Sequence, residues 1–124
     1  MSLAALRWLL AVNALVGLAG GLALLLLPEL FLSLLGLHSD QTGLVLARLY
    51  GAELVGFNVA TWLARSLAAQ PGVVLGHVAN ESLTAAVLWI AIAGGAGGPL
   101  LWALAVVATA FAVGLWWAAT RRTR

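Results

Sequence analysis

Four long apolar runs, separated by short polar or glycine-rich breaks, make up nearly all of this chain. They cover residues 3–27, 43–64, 73–93 and 99–119. Each is close to the ~20 apolar residues a helix needs to cross a hydrocarbon core of ~30 Å. The pattern predicts an all-α membrane protein: a four-transmembrane-helix bundle, one transmembrane domain over residues 1–124.

The breaks have their own logic. Pro28 stops the first helix or starts another, since proline suits a first turn. Residues 28–36 (PELFLSLLG) are apolar but short, so they read as a short interfacial helix after helix one or as its continuation. Residues 37–42 (LHSDQT) are a polar loop in which Asp40 and Thr42 are candidate N-caps. Residues 69–72 (AQPG) and 94–99 (GGAGGP) are turns. Gly17 to Gly21 and Ala47 to Gly51 are small-x-x-x-small pairs that suit close helix contact. The first run is longer than a secretory h-region usually is, which predicts an anchor that is retained.

Composition narrows the class further. The chain is 64% hydrophobic and 8% charged, against about 25% charged in a soluble domain. Cysteine is absent, which excludes disulfides, thiolate metal sites and cysteine nucleophiles. All six basic residues are arginines, and Arg121, Arg122 and Arg124 cluster at the end. That is an end effect and not a basic stripe, so nucleic acid is not an expected partner.

The arginines also predict orientation. Arg7, Arg65 and the terminal group fall on one side, while Glu29 and Asp40 fall on the other. Positive charge marks the cytoplasmic side, so both termini are expected in the cytoplasm of a multi-pass plasma-membrane protein. Trp8, Trp62, Trp116 and Trp117 sit at the inner ends of the runs, and Trp89 and Trp102 at the outer ends. Arg7, Trp8, Arg48, Arg65, Trp116, Trp117, Arg121 and Arg122 are thus the expected anchors in the lipid bilayer.

A few polar side chains break the apolar runs. Counting ~1.5 Å per residue places Glu53 ~15 Å deep, near the midplane, and Glu81 ~12 Å from the inner face. Asn13, Asn58, His77 and Asn80 share the inner half with Glu81. His77, Asn80, Glu81 and Thr84 follow i, i+3, i+4, i+7 and so lie on one helix face. Tyr50, Glu53 and Phe57 share a face of the second run. The expectation is that the second and third spans pair through Glu53, Asn58, His77, Asn80 and Glu81, with Asn13 nearby. The fourth span is then left to face lipid or a partner.

Intramembrane carboxylates are costly when charged, at ~2.5–3.5 kcal/mol on insertion scales, and are functional candidates by default. Metal binding finds too few ligands: His77 and Glu81 are an i, i+4 pair that only Glu53 is available to complete, so no metal site is assigned. No serine, histidine and acid set reads as a hydrolase triad, and no glycine loop stands between a strand and a helix, so no catalytic residues are assigned. The reading is therefore a non-enzymatic small integral membrane protein, acting as an accessory subunit or homo-oligomer. It would bind a lipid-like or small polar ligand at the cluster between helices two and three. One alternative is a small proton- or ion-coupled transporter or channel using Glu53 and Glu81. Another is a haem- or pigment-binding subunit using His77. The residues name no cofactor of their own. The expected partners are the bilayer and a homo-oligomer or larger membrane complex.

Pro28, Phe31-Leu32, Leu35-Gly36, Arg48-x-x-Gly51, Gly56 and Trp62-x-x-Arg65 form a further pattern. Over residues 28–65 the chain resembles a group of small bacterial four-helix integral membrane proteins of unknown function. The resemblance implies a four-span fold and a bacterial plasma membrane, and it brings no activity with it.

Overall fold

The structure, a computed structural model, describes residues 2–67 and 70–121. Five α-helices follow in order: α1 (Leu3–Leu26), α2 (Pro28–Leu34), α3 (Gln41–Ala64), α4 (Pro71–Ala93) and α5 (Pro99–Arg121). A 3-10 turn, Arg65–Leu67, extends α3. No strand occurs among the described residues. α1, α3 with its 3-10 turn, α4 and α5 are each long and apolar enough to cross a bilayer, and the protein is a multi-pass membrane protein.

Local chemistry sets the helix ends. The Ser2 hydroxyl accepts from the Ala5 N–H at 3.1 Å, and the Asp40 carboxylate accepts from the Gly43 N–H at 2.9 Å. Each satisfies one of the N–H groups that a first turn leaves unpaired. Thr42, the other candidate cap, lies inside α3. Pro28 and Pro71 sit in the first turns of α2 and α4, where a missing N–H costs nothing. Gly36 follows α2 with φ +73°, a left-handed conformation that glycine adopts freely. There the backbone touches the loop before α5: the Gly98 N–H donates to the Leu35 carbonyl at 3.0 Å. A Cβ on Gly36 would lie 2.6 Å from the Gly98 nitrogen. The end of α2 is clamped to the start of α5.

The four long helices form two pairs, α1 with α3 and α4 with α5. This corrects the expected pairing of the second and third spans. It also corrects the expectation for the fourth span, which packs along α4. The reason lies in the small residues. A Cβ on Gly51 would stand 2.6 Å from the Leu25 nitrogen and 2.8 Å from the Gly21 carbonyl oxygen. A Cβ on Gly17 would overlap the Asn58 amide. Lipid tails are as apolar as leucine, so close backbone approach drives association between membrane helices. α5 buries Ala105, Ala108 and Ala118, and α4 buries Ala85, which permits a similar approach.

The pairs join at one end through a small core of Leu6 and Leu10 of α1, Val74 and Val78 of α4, and Leu115 and Ala118 of α5. Most of the expected anchors gather at that end. An Arg7 Nη donates to the Ser66 carbonyl at 3.4 Å. The Arg65 guanidinium lies 4.1 Å from the Trp62 ring centroid, and Arg121 lies 4.4 Å from that of Trp117. Trp8 and Trp116 are exposed. Arg48, further along α3, is exposed as well. Arg122 and Arg124 lie outside the described residues. At the opposite end, Trp89 and Trp102 stack edge to face at 5.7 Å, and the Trp89 indole donates to the Thr109 hydroxyl at 3.0 Å.

Candidate functional site

The two helix pairs do not close on each other along their whole length. Between them lies a cavity of about 600 Å³. Leu24 of α1, Leu54 of α3, Leu88 of α4 and Leu104 and Phe111 of α5 form its apolar walls. Phe31 and Leu35, in and just after α2, reach it from the loop end. That gives α2 a structural role: clamped at Gly36–Gly98, it holds one edge of the cavity in place.

The polar groups enter from three helices. Asn13 of α1 and Glu81 of α4 are both buried, and the Asn13 amide nitrogen donates to Glu81 Oε1 at 2.6 Å. Asn13 lies ten residues beyond Leu3, and Glu81 ten beyond Pro71 (13 − 3 and 81 − 71). Both are therefore about 15 Å along helices that start at the same end, and the bond crosses at mid-membrane depth. It ties one helix pair to the other. Asn13 Oδ1 is buried without a hydrogen-bond partner. Buried polar atoms are nearly always paired, so a free acceptor beside a cavity is an informative exception. Asn80, Thr84 and Tyr50 also reach the cavity. Asn58 lines it while donating to its own helix at the Leu54 carbonyl, 2.8 Å away.

His77 leaves the cluster. It is buried toward the end of α3, with its ring 4.9 Å from that of Phe57 and Nε2 3.1 Å from the Thr61 hydroxyl. Thr61 donates its only hydroxyl proton to the Phe57 carbonyl at 2.8 Å. Nε2 must therefore carry the hydrogen and donate, which assigns the tautomer by the network. Nδ1 is buried without a partner. A separate hollow of about 210 Å³ lies beside this ring, between α3 and the start of α4.

Glu53 also lies apart. It is exposed on the outward side of α3, does not line the cavity, and has no hydrogen bond or ion pair among the described residues. Of the six candidates, the structure thus brings together Asn13, Asn58, Asn80 and Glu81. It separates His77 and Glu53 from them. No group of three or more histidines, cysteines or carboxylates able to hold a metal occurs among the described residues.

Sequence reasoning missed Thr61 and the contribution of α5. A signal for Thr61 was present: Leu44, Gly51 and Asn58 recur every seven residues and continue to Thr61 as the buried stripe of α3. α5 gave no signal, because its cavity wall is leucine, valine and phenylalanine, the same residues that face lipid.

No family model, curated protein or solved structure matches the chain.

Proposed function

We propose that this chain is a non-enzymatic membrane protein that binds an amphipathic, lipid-like molecule in the cavity between its two helix pairs. The observation that carries the reading is the Asn13–Glu81 bond, set in a mostly apolar cavity with Asn13 Oδ1 left unpaired. Ligand sites are mostly apolar clefts of about 300–1,000 Å³ with a few placed polar groups, and this cavity falls in that range. An aliphatic chain would lie against Leu24, Leu54, Leu88 and Leu104. An amine head would donate to both Asn13 Oδ1 and the second oxygen of Glu81, and a hydroxyl head to one of them.

The site belongs, on this reading, to an accessory subunit or homo-oligomer of a bacterial plasma membrane with both termini cytoplasmic. The gathering of Arg7, Arg65 and Arg121 at one end supports the orientation. The resemblance over residues 28–65 supports the setting. The ion-coupled alternative requires both carboxylates on one path, and Glu53 stands outside the cavity. The haem alternative requires a free His77 Nε2, which Thr61 engages.

Gly20 supplies the test. It lines the cavity, and a Cβ added there meets nothing within 4 Å. Gly20→Phe should fill the cavity without disturbing the fold. A photoreactive fatty alcohol should label peptides of α4 and α5 that line the cavity in the wild type, and Gly20→Phe should abolish that labelling at unchanged thermal stability. Equal labelling of the two proteins would refute the reading.

A further inference from the structure

The side of α3 that faces away from the cavity carries a second pattern. With 3.6 residues per turn, Gly56 lies at the centre of the exposed side, and Glu53 and Arg48 lie about 60° and 80° to either side of it. Val45, Leu49, Ala52, Gly56, Val59 and Leu63 are all exposed. They alternate steps of four and three residues, which is the a and d spacing of a heptad repeat. Leu49, Gly56 and Leu63 take the a positions, and Val45, Ala52 and Val59 the d positions. A Cβ on Gly56 meets nothing within 4 Å, so the centre of this seam is open to close approach.

The charges fit the same register. If Leu49 is a, Arg48 is the g position before it and Glu53 the e position of the next heptad. In a parallel pair of helices, g of one faces the following e of the other, where coiled coils place interhelical ion pairs. Copies of one chain share one orientation in the membrane, so a two-fold axis along the membrane normal makes their α3 helices parallel. Ionisable residues within membrane helices almost always pair with one another or face a protein interior. Arg48 and Glu53 diverge on their own helix and, among the described residues of one copy, do neither. A second copy supplies the missing partner for both, twice over.

We propose that the outward face of α3 is a homodimer interface, in which parallel α3 helices pack along the Val45–Leu63 seam and Arg48 of each copy pairs with Glu53 of the other. The face is distinct from the cavity, so the interface stands or falls independently of the ligand. It accounts for a carboxylate held near mid-bilayer on an outward-facing surface.

The chain contains no cysteine, so single introduced cysteines report without background. Full-length protein in native membranes, oxidised with copper phenanthroline, should form disulfide dimers from Ala52→Cys, Gly56→Cys and Val59→Cys. Ile90→Cys on α4 and Val106→Cys on α5, exposed and apolar but elsewhere, should not. Gly56→Leu, placed where the fold leaves room, should abolish the Val59→Cys cross-link while the monomer keeps its thermal stability. Arg48→Glu should weaken the cross-link, and adding Glu53→Arg should restore it. Cross-linking as strong at Ile90 or Val106 would overturn the proposal, as would a product of any mass other than twice the chain. A four-residue spacing through Ala52, Gly56 and Ala60 would overturn the register, because that crossing separates Arg48 from Glu53 of the partner subunit.

Discussion

The contact inside the α1–α3 pair and the seam between the two pairs are built on opposite plans. Inside the pair, glycine brings backbone to backbone, and no side chain separates Gly51 from Gly21. Across the seam, side chains reach over a cavity and meet in two hydrogen bonds, Asn13 to Glu81 and His77 to Thr61. The difference shows which force acts where. In lipid there is no apolar transfer gain from bringing helices together, so association relies on packing and on polar bonds. The pair uses the first and leaves no space; the seam packs only at one end, around Leu6, Leu10, Val74, Val78, Leu115 and Ala118, and beyond that core relies on the second, which can hold a cavity open.

The largest effect should therefore come from a single methyl inside the pair. In Gly51→Ala, the two atoms nearest the new Cβ are backbone, from Leu25 and Gly21, the third is the Leu24 Cβ, and none of them can rotate away. A loss at or above the upper end of ~1–3 kcal/mol is expected. Gly56→Ala adds the same methyl to the same helix where nothing lies within 4 Å. It should be neutral or stabilising by up to ~1 kcal/mol through helix propensity. Thermal unfolding of the monomer, in a detergent that keeps copies apart, measures both free of any α3–α3 contact. Similar losses for the two would mean that helix backbone effects, and not the α1–α3 contact, set the penalty.

At the seam, Asn13→Ala comes next. It removes the Asn13 amide that bonds Glu81 Oε1 across the seam, leaving the buried carboxyl only its own-helix neighbour Asn80, a change expected to cost about 1–2 kcal/mol. Replacing both partners together, Asn13→Leu with Glu81→Leu, should recover much of that loss, because no unsatisfied group remains. It should also remove labelling by the fatty-alcohol probe. Recovery of stability with labelling intact would separate the bond from the site and assign Asn13–Glu81 to structure alone.

The helices themselves were legible in the sequence, and their arrangement was not. Pro28, Asp40, Pro71 and Pro99 mark the ends because capping and proline chemistry act within one turn. The apolar runs report the membrane because a bilayer demands length. Pairing is a different matter: a helix that is apolar on every side gives no amphipathic face to read. The polar residues point to the second and third spans as partners. Glycine decided instead, and Gly51 looks the same in sequence as Gly56 although one is buried against backbone and the other open. His77 and Glu81 do share one buried face, but α4 meets α3 at His77 and α1 at Glu81. One helix face can serve two neighbours, and spacing alone does not say which.

The smallest effect tests whether the seam is held evenly along its length. Thr61→Val keeps the shape of the side chain and removes the acceptor for His77 Nε2. Side-chain hydrogen bonds between membrane helices average ~0.6 kcal/mol, so the cost should be near that value and below that of Asn13→Ala. The tautomer gives an independent readout. The protonated nitrogen should be Nε2 in the wild type, since Thr61 commits its proton to the Phe57 carbonyl. Nitrogen NMR of His77 should show one fixed tautomer, and Thr61→Val should release it into a mixture. If Thr61→Val costs as much as Asn13→Ala, the two bonds share the load equally. The Asn13–Glu81 bond would then lose its standing as the tie beside the cavity, and the seam would be a uniform interface.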